Sequence, residues 1–191
     1  YSELSDFFYA WLSPVLRDID KKFSSENSRR CNEVQNTDFM KFSKLLGNIF
    51  TETNRVLIDK GKLCFSFHHS RPEGWIAIAN ALIQADFYIK EAFPVHAELM
   101  ASTPKSNVKE PICLDTIIVC SKKKPTDNDN LILGEKYINL FRDNNKRLSL
   151  HDEFVIHAGQ IIKQGINQRN TLNKILADLR EKYDSLFHKN E

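Results

Sequence analysis

Glycine is scarce in this chain. Its 191 residues include six, at positions 47, 61, 74, 134, 159 and 165. No two stand close enough to form a loop that cradles a phosphate or a nucleotide. The four cysteines, Cys31, Cys64, Cys113 and Cys120, show no Cys-x-x-Cys spacing, so zinc is not suggested. Cys64, Cys113 and Cys120 fall in strand-like runs and read as buried thiols, which makes a cytoplasmic protein the expectation. No apolar run approaches the ~20 residues of a membrane span, and no signal peptide precedes the first helical stretch. No serine sits in a Gly-x-Ser-x-Gly elbow. Charge of one sign is also lacking: 27 basic against 25 acidic residues leave +2, so overall charge does not argue for nucleic acid. The first residue is Tyr1, not methionine. Together with the absent glycine-rich turn, this reads as half of a domain.

What is present supports one folded domain with a real core and a helical appendage. Residues 2–23 repeat apolar side chains at helical spacing: Leu4, Phe7, Phe8, Trp11, Leu12, Val15, Leu16, Ile19 and Phe23. Their aromatic rings are expected in the core. Ser13-Pro14 is expected to kink or restart that helix, because proline cannot continue a helix interior. A polar loop over 24–36 leads to a second helix, from about Asp38 to about Asp59, with Gly61 as its stop. Then come a strand over Lys62–His69, a helix over Arg71–Ala85 with Ser70 as cap and Pro72 in its first turn, and a strand over Phe87–Val95. A long aperiodic connection, 96–111, precedes another β-branched run, Ile112–Ser121. The two strands it joins are expected to be antiparallel. After Lys122-Lys123-Lys124-Pro125, whose lysines read as a solubilising strand edge, three helices are expected over Gly134–Asn144, Leu150–Gln164 and Thr171–Phe187. The second opens with the capping signature Ser149-x-x-Asp152. The domain assignment is 1–124 for the α/β part and 131–191 for the helical tail.

Strands joined by a helix are normally parallel neighbours, and ligands of open α/β sheets bind beyond the carboxyl ends of the strands. That places Phe67, His68, His69 and Ser70 where chemistry is expected. Adjacent strand residues point to opposite faces, so His68 and His69 do not suit one metal ion. A single histidine there fits a general base, a pocket wall or a structural hydrogen bond. His96 and Glu98 share a face but lack further metal ligands. Lys105 and Ser106, in the long connection, suit a phosphate grip.

Three ordered stretches resemble one family, the zinc-ribbon-containing adenine-specific DNA methylases. They are YSELSDFFYAWL from Tyr1, NIFTETNRVLIDKGKLCFSFHH followed by Trp75, and FPVHAELMASTPKSNVKEPICLDTIIVCSKK from Phe93 to Lys123. The resemblance covers about residues 1–123. It implies an α/β fold, a partial Rossmann-like class I methyltransferase sheet supplying strands five to seven, with seven antiparallel between five and six. It implies S-adenosylmethionine as methyl donor and DNA as partner, with the target adenine flipped out of the duplex. Phe67, His68, His69 and Trp75 would then line the base pocket, Lys105 and Ser106 would face DNA, and Tyr1, Glu3, Ser5 and Asp6 would approach the catalytic motif. That motif, Asp-Pro-Pro-Tyr, is absent here, as are the glycine-rich cofactor loop and the zinc-ribbon cysteines. The resemblance therefore implies no catalytic residue in this chain, an unknown cofactor-contacting set and little activity alone. The missing N-terminal half would be a partner, and an exposed sheet edge would invite a homodimer. The competing readings are a non-enzymatic α/β binding module and a different enzyme with a histidine base.

Overall fold

The structure is a computed structural model that describes residues 2–23, 25–28, 33–34, 36–97, 112–126, 134–144 and 148–188. The chain forms two compact units, Tyr1–Asp38 and Phe39–Glu191.

In the first unit, α1 (Ser2–Ile19) runs unbroken through Pro14. The expected restart is corrected: one continuous helix runs on both sides of Ser13, which is buried. A short 3-10 turn, Lys21–Phe23, follows. The chain then folds back along the helix, where the Tyr9 hydroxyl donates to the Phe23 carbonyl at 2.8 Å and Arg17 Nε donates to the same carbonyl at 3.3 Å. The apolar stripe expected in the core is instead open to solvent. Phe7, Phe8, Trp11, Leu12, Val15 and Ile19 are all more than half exposed.

The second unit is built on a three-stranded sheet, β1 (Leu63–Phe67), β2 (Tyr88–His96) and β3 (Leu114–Ser121), in the order β1-β3-β2. Both neighbouring pairs are antiparallel. The sheet is mixed α/β in class but is not a parallel Rossmann-type sheet. β1 and β2, expected from their joining helix to be parallel neighbours, do run the same way, but β3 lies between them, antiparallel to both, in the order the resemblance implied. Local pattern names the strands; only pairing across about fifty residues decides which one takes the middle.

Period-two alternation gives the sheet two unlike faces. Phe65, Ile118 and Ala92 share one row on the covered face. There α2 (Phe39–Val56) stacks Phe50 on Phe65 with ring centroids 5.3 Å apart. Cys64 and Ser66, on the other face, are exposed. Cys64 is thus not the buried thiol the sequence suggests. Cys120, on the covered face, is buried, and desolvation pushes its thiol up to about 12, with Cys64 adding to the shift; Cys113 is half-buried.

α3 (Pro72–Gln84) is apolar nearly all round and is accordingly buried along most of its length. Its N-cap is Arg71, not Ser70, and no side chain caps it. α2 ends at Val56, five residues before Gly61, which therefore is not its stop, and no glycine has a positive φ. Ser43 ties the two helices together: its hydroxyl donates to the Ala77 carbonyl at 2.8 Å and accepts from Asn80 Nδ2 at 2.9 Å.

α4 (Gly134–Asp143), α5 (Leu150–Asn167) and α6 (Leu172–Phe187) complete this unit. The Ser149–Asp152 capping box is formed as the spacing predicts, and Thr171 caps α6 through the Lys174 N–H. Asp152 is buried and accepts from four donors: the backbone N–H groups of Cys113, Leu114 and Ser149 and the Ser149 hydroxyl. One carboxylate thus caps α5 and holds the start of β3. Farther along α5, Gln160 Nε2 donates to the Ala92 carbonyl at 2.6 Å. Asn167 accepts from the Ile89 N–H at 3.0 Å and donates to the Ile89 carbonyl at 2.7 Å. Gly159 comes close to Thr116 at the middle strand.

Candidate functional site

The alternation of Leu63, Phe65 and Phe67 with Cys64 and Ser66 brings β1 to its carboxyl end with His68 and His69 on opposite faces. The chain then turns straight into α3, whose Pro72 presets the first helical φ. Phe67, His68, His69 and Trp75 are brought together at this turn. Phe67 meets Trp75 edge to face, centroids 5.1 Å apart and planes at 88°. The Trp75 indole N–H donates to the His69 carbonyl at 2.9 Å, so the buried ring has its polar atom satisfied.

The two histidines have different surroundings. His69 lies over Gly74, where a Cβ would collide with the imidazole, and edge-on to Phe39 at 5.6 Å. Its Nδ1 stands 3.0 Å from both the nitrogen and the oxygen of Arg71. Without a proton Nδ1 accepts from the N–H; with one, in the Nδ1–H tautomer or the charged ring, it donates to the carbonyl. His69 is therefore part of the turn itself.

His68 pairs through Nδ1 with the carboxylate of Asp115. Phe67 is aligned with Thr116, so His68 falls opposite Asp115 on the less covered face. A carboxylate at Nδ1 holds the proton on that nitrogen and leaves Nε2 as the acceptor of the neutral ring. The His68 side chain is 36% exposed and that of Asp115 22%, so the pair is reachable from solvent. Its chemistry is that of an oriented base or hydrogen-bond acceptor.

Asp115 was not among the residues the sequence pointed to. Its signal was there: in ICLDTIIVCS it is the one acid inside a β-branched run, in phase with Ile117 and Val119 and out of phase with buried Leu114, Thr116 and Ile118. Lys105, Ser106, Glu98 and Tyr1 lie outside the described residues. Ser5 and Asp6 belong to the first unit and serve its own turn. Asp6 accepts from the Ser28 N–H at 2.8 Å and from its hydroxyl at 2.5 Å, and the Ser5 and Ser28 hydroxyls are 2.7 Å apart. His96, at the end of β2, packs against Phe141 of α4.

No group of three or more histidine, cysteine or acidic side chains among the described residues could hold a metal ion. S-adenosylmethionine does not fit this turn either. The space beside Gly74 is filled by the His69 ring, so this glycine offers no backbone cradle for a cofactor. No helix of the described residues is long and apolar enough to cross a membrane. Comparison with known protein families, curated proteins and solved structures finds no match.

Proposed function

We propose that this chain is the C-terminal half of the catalytic domain of an S-adenosylmethionine-dependent DNA adenine methyltransferase, inactive by itself. The observation that supports the reading is the strand order β1-β3-β2, with the middle strand antiparallel to two strands that run the same way and are joined through α3. The family resemblance implies that arrangement for strands five, seven and six. A piece lacking the Asp-Pro-Pro-Tyr motif and the cofactor loop would need them from a preceding segment. In this reading Phe67 and Trp75 support a wall of the base pocket, and His68, oriented by Asp115, offers Nε2 as an acceptor. Lys105 and Ser106 remain proposed DNA contacts.

Reading the coding sequence immediately upstream of the Tyr1 codon tests the proposal. The expected result is an in-frame Asp-Pro-Pro-Tyr close by and a glycine-rich strand–loop–helix further upstream. The complete frame should transfer labelled methyl groups to adenine-containing DNA while this chain alone does not. A start codon directly before Tyr1, or methyl transfer by this chain alone, would overturn the reading. The binding-module alternative calls for a sheet with both edges managed within the chain. β2 meets that condition through α5, whereas β1 has no strand on its outer side among the described residues.

A further inference from the structure

The end of the sheet remote from His68 carries a concentration of positive charge. β1 is entered through Lys60 and Lys62, and β3 runs out into Lys122, Lys123 and Lys124. The antiparallel register sets Leu63 against Cys120. One residue further, Lys62 comes opposite Ser121, and the next position brings Lys122 opposite Gly61. Two stretches sixty residues apart thus deliver five lysines to one place. The Ser121 hydroxyl donates to the Lys123 carbonyl at 2.7 Å and turns the chain over the strand end. Four of the five are exposed and Lys122 is half-buried.

Among the described residues none of these lysines is in an ion pair, whereas Lys174 and Lys182 elsewhere have acidic partners. Asp59 is the one acid in 58–62 and 120–126; Asp127 and Asp129 lie outside the described residues. Asp86, at the adjoining start of β2, is engaged by Arg169 at 2.6 Å. The near-neutral total charge therefore conceals a local excess.

We infer that this lysine-rich sheet end docks the phosphate backbone of a nucleic acid. Lysine ammonium groups act as mobile point charges, which suits sequence-independent phosphate contact. A duplex, with one charge per about 1.7 Å of its axis, can engage the whole cluster. A lipid surface calls for an apolar anchor beside the charges, and Ile58 is the one large exposed apolar side chain in these stretches. β1 separates the cluster from His68 by about 20 Å at strand rise, so the surface is distinct from the candidate site. The inference does not rest on the proposed methyltransferase reading.

The test is fluorescence anisotropy of a labelled random-sequence duplex of about 20 base pairs, titrated with the full chain from about 50 to about 200 mM salt. The wild type is expected to bind with micromolar Kd at the low end and to weaken steeply with salt. The variant K60Q/K62Q/K123Q/K124Q should lose at least about tenfold in affinity and roughly 3 from the log–log salt slope. The control K21Q/K44Q/K136Q/K174Q makes the same change in net charge and should keep both. Circular dichroism checks that each variant is folded. Equal losses in the two variants, an unchanged salt slope, or no duplex binding by the wild type would overturn the inference. Binding to phosphatidylserine vesicles without binding to the duplex would overturn it too.

Discussion

The two edges of the sheet are treated differently. Along β2, α5 supplies Asn167 and Gln160, whose amides take up the main chain at Ile89 and Ala92. The strand also has a register shift between Ile89 and Glu91 and a proline, Pro94, both of which discourage further pairing. Along β1 there is neither bulge nor proline, and no side chain among the described residues bonds to the main chain of Leu63–Phe67. Natural sheets seldom leave an edge bare. Among the described residues, then, the β2 edge is closed by α5 and the β1 edge carries no such closure.

The largest expected effect comes from breaking the brace where α5 meets β3. Asp152→Ala strands three backbone N–H donors and a hydroxyl, and should cost about 3 kcal/mol or more in urea denaturation. A loss below about 1 kcal/mol, the worth of an ordinary helix cap, would mean that the carboxylate does not hold the strand. Asn167→Ala should come next, at about 1–3 kcal/mol, with a rise in oligomers by size-exclusion chromatography as the β2 edge opens. If only stability changes and the oligomeric state does not, the amide is a packing device and not a seal.

A smaller effect should follow pH. His157 of α5 is buried beside Gly134, and its pKa is held below the usual histidine value by desolvation and by Lys182, against the pull of Glu135 and Glu153. The unfolded chain then takes up this proton more readily than the folded one. The stability present above about pH 6.5 should be lost as pH falls through the lowered folded value, and His157→Gln should flatten that part of the curve. The smallest energetic effect belongs to the thiols. Cys64 should react rapidly with an aromatic disulfide reagent while Cys120 reacts only on unfolding. Protection of Cys64 at high protein concentration would mean that a second copy shields the less covered face of β1.

The sequence made the helices of the second unit legible because their signals are local. Ser149-x-x-Asp152 carries its own cap, although Ser70 does not cap α3 and Gly61 does not stop α2. The strand order was not local, since β3 enters the sheet by pairing with residues about fifty positions away. The apolar face of α1 misled for a related reason: periodicity shows that a stripe exists, not that anything covers it. Pro14 misled because its lost hydrogen bond does not end α1. At the turn, the strand-to-helix pattern pointed to Phe67, His68, His69 and Ser70, and the structure brings the first three together with Trp75. Asp115 was missed because a single acid in an apolar run looks like an exposed strand position until its neighbour across the sheet is known.

The reversed middle strand also sets a timetable for synthesis. β1 and β2 both emerge from the ribosome before the strand that joins them, and the amides that close β2 come some seventy residues after Ala92 and Ile89. Until β3 has emerged the nascent chain carries two unpaired strands, Leu63–Phe67 and Tyr88–His96, and the outer side of β2 stays unclosed until α5 follows. Contacts of such long sequence separation form late. The C-terminal helices are thus the step that ends a period of aggregation risk, and a chain cut before Ser149 would never leave it.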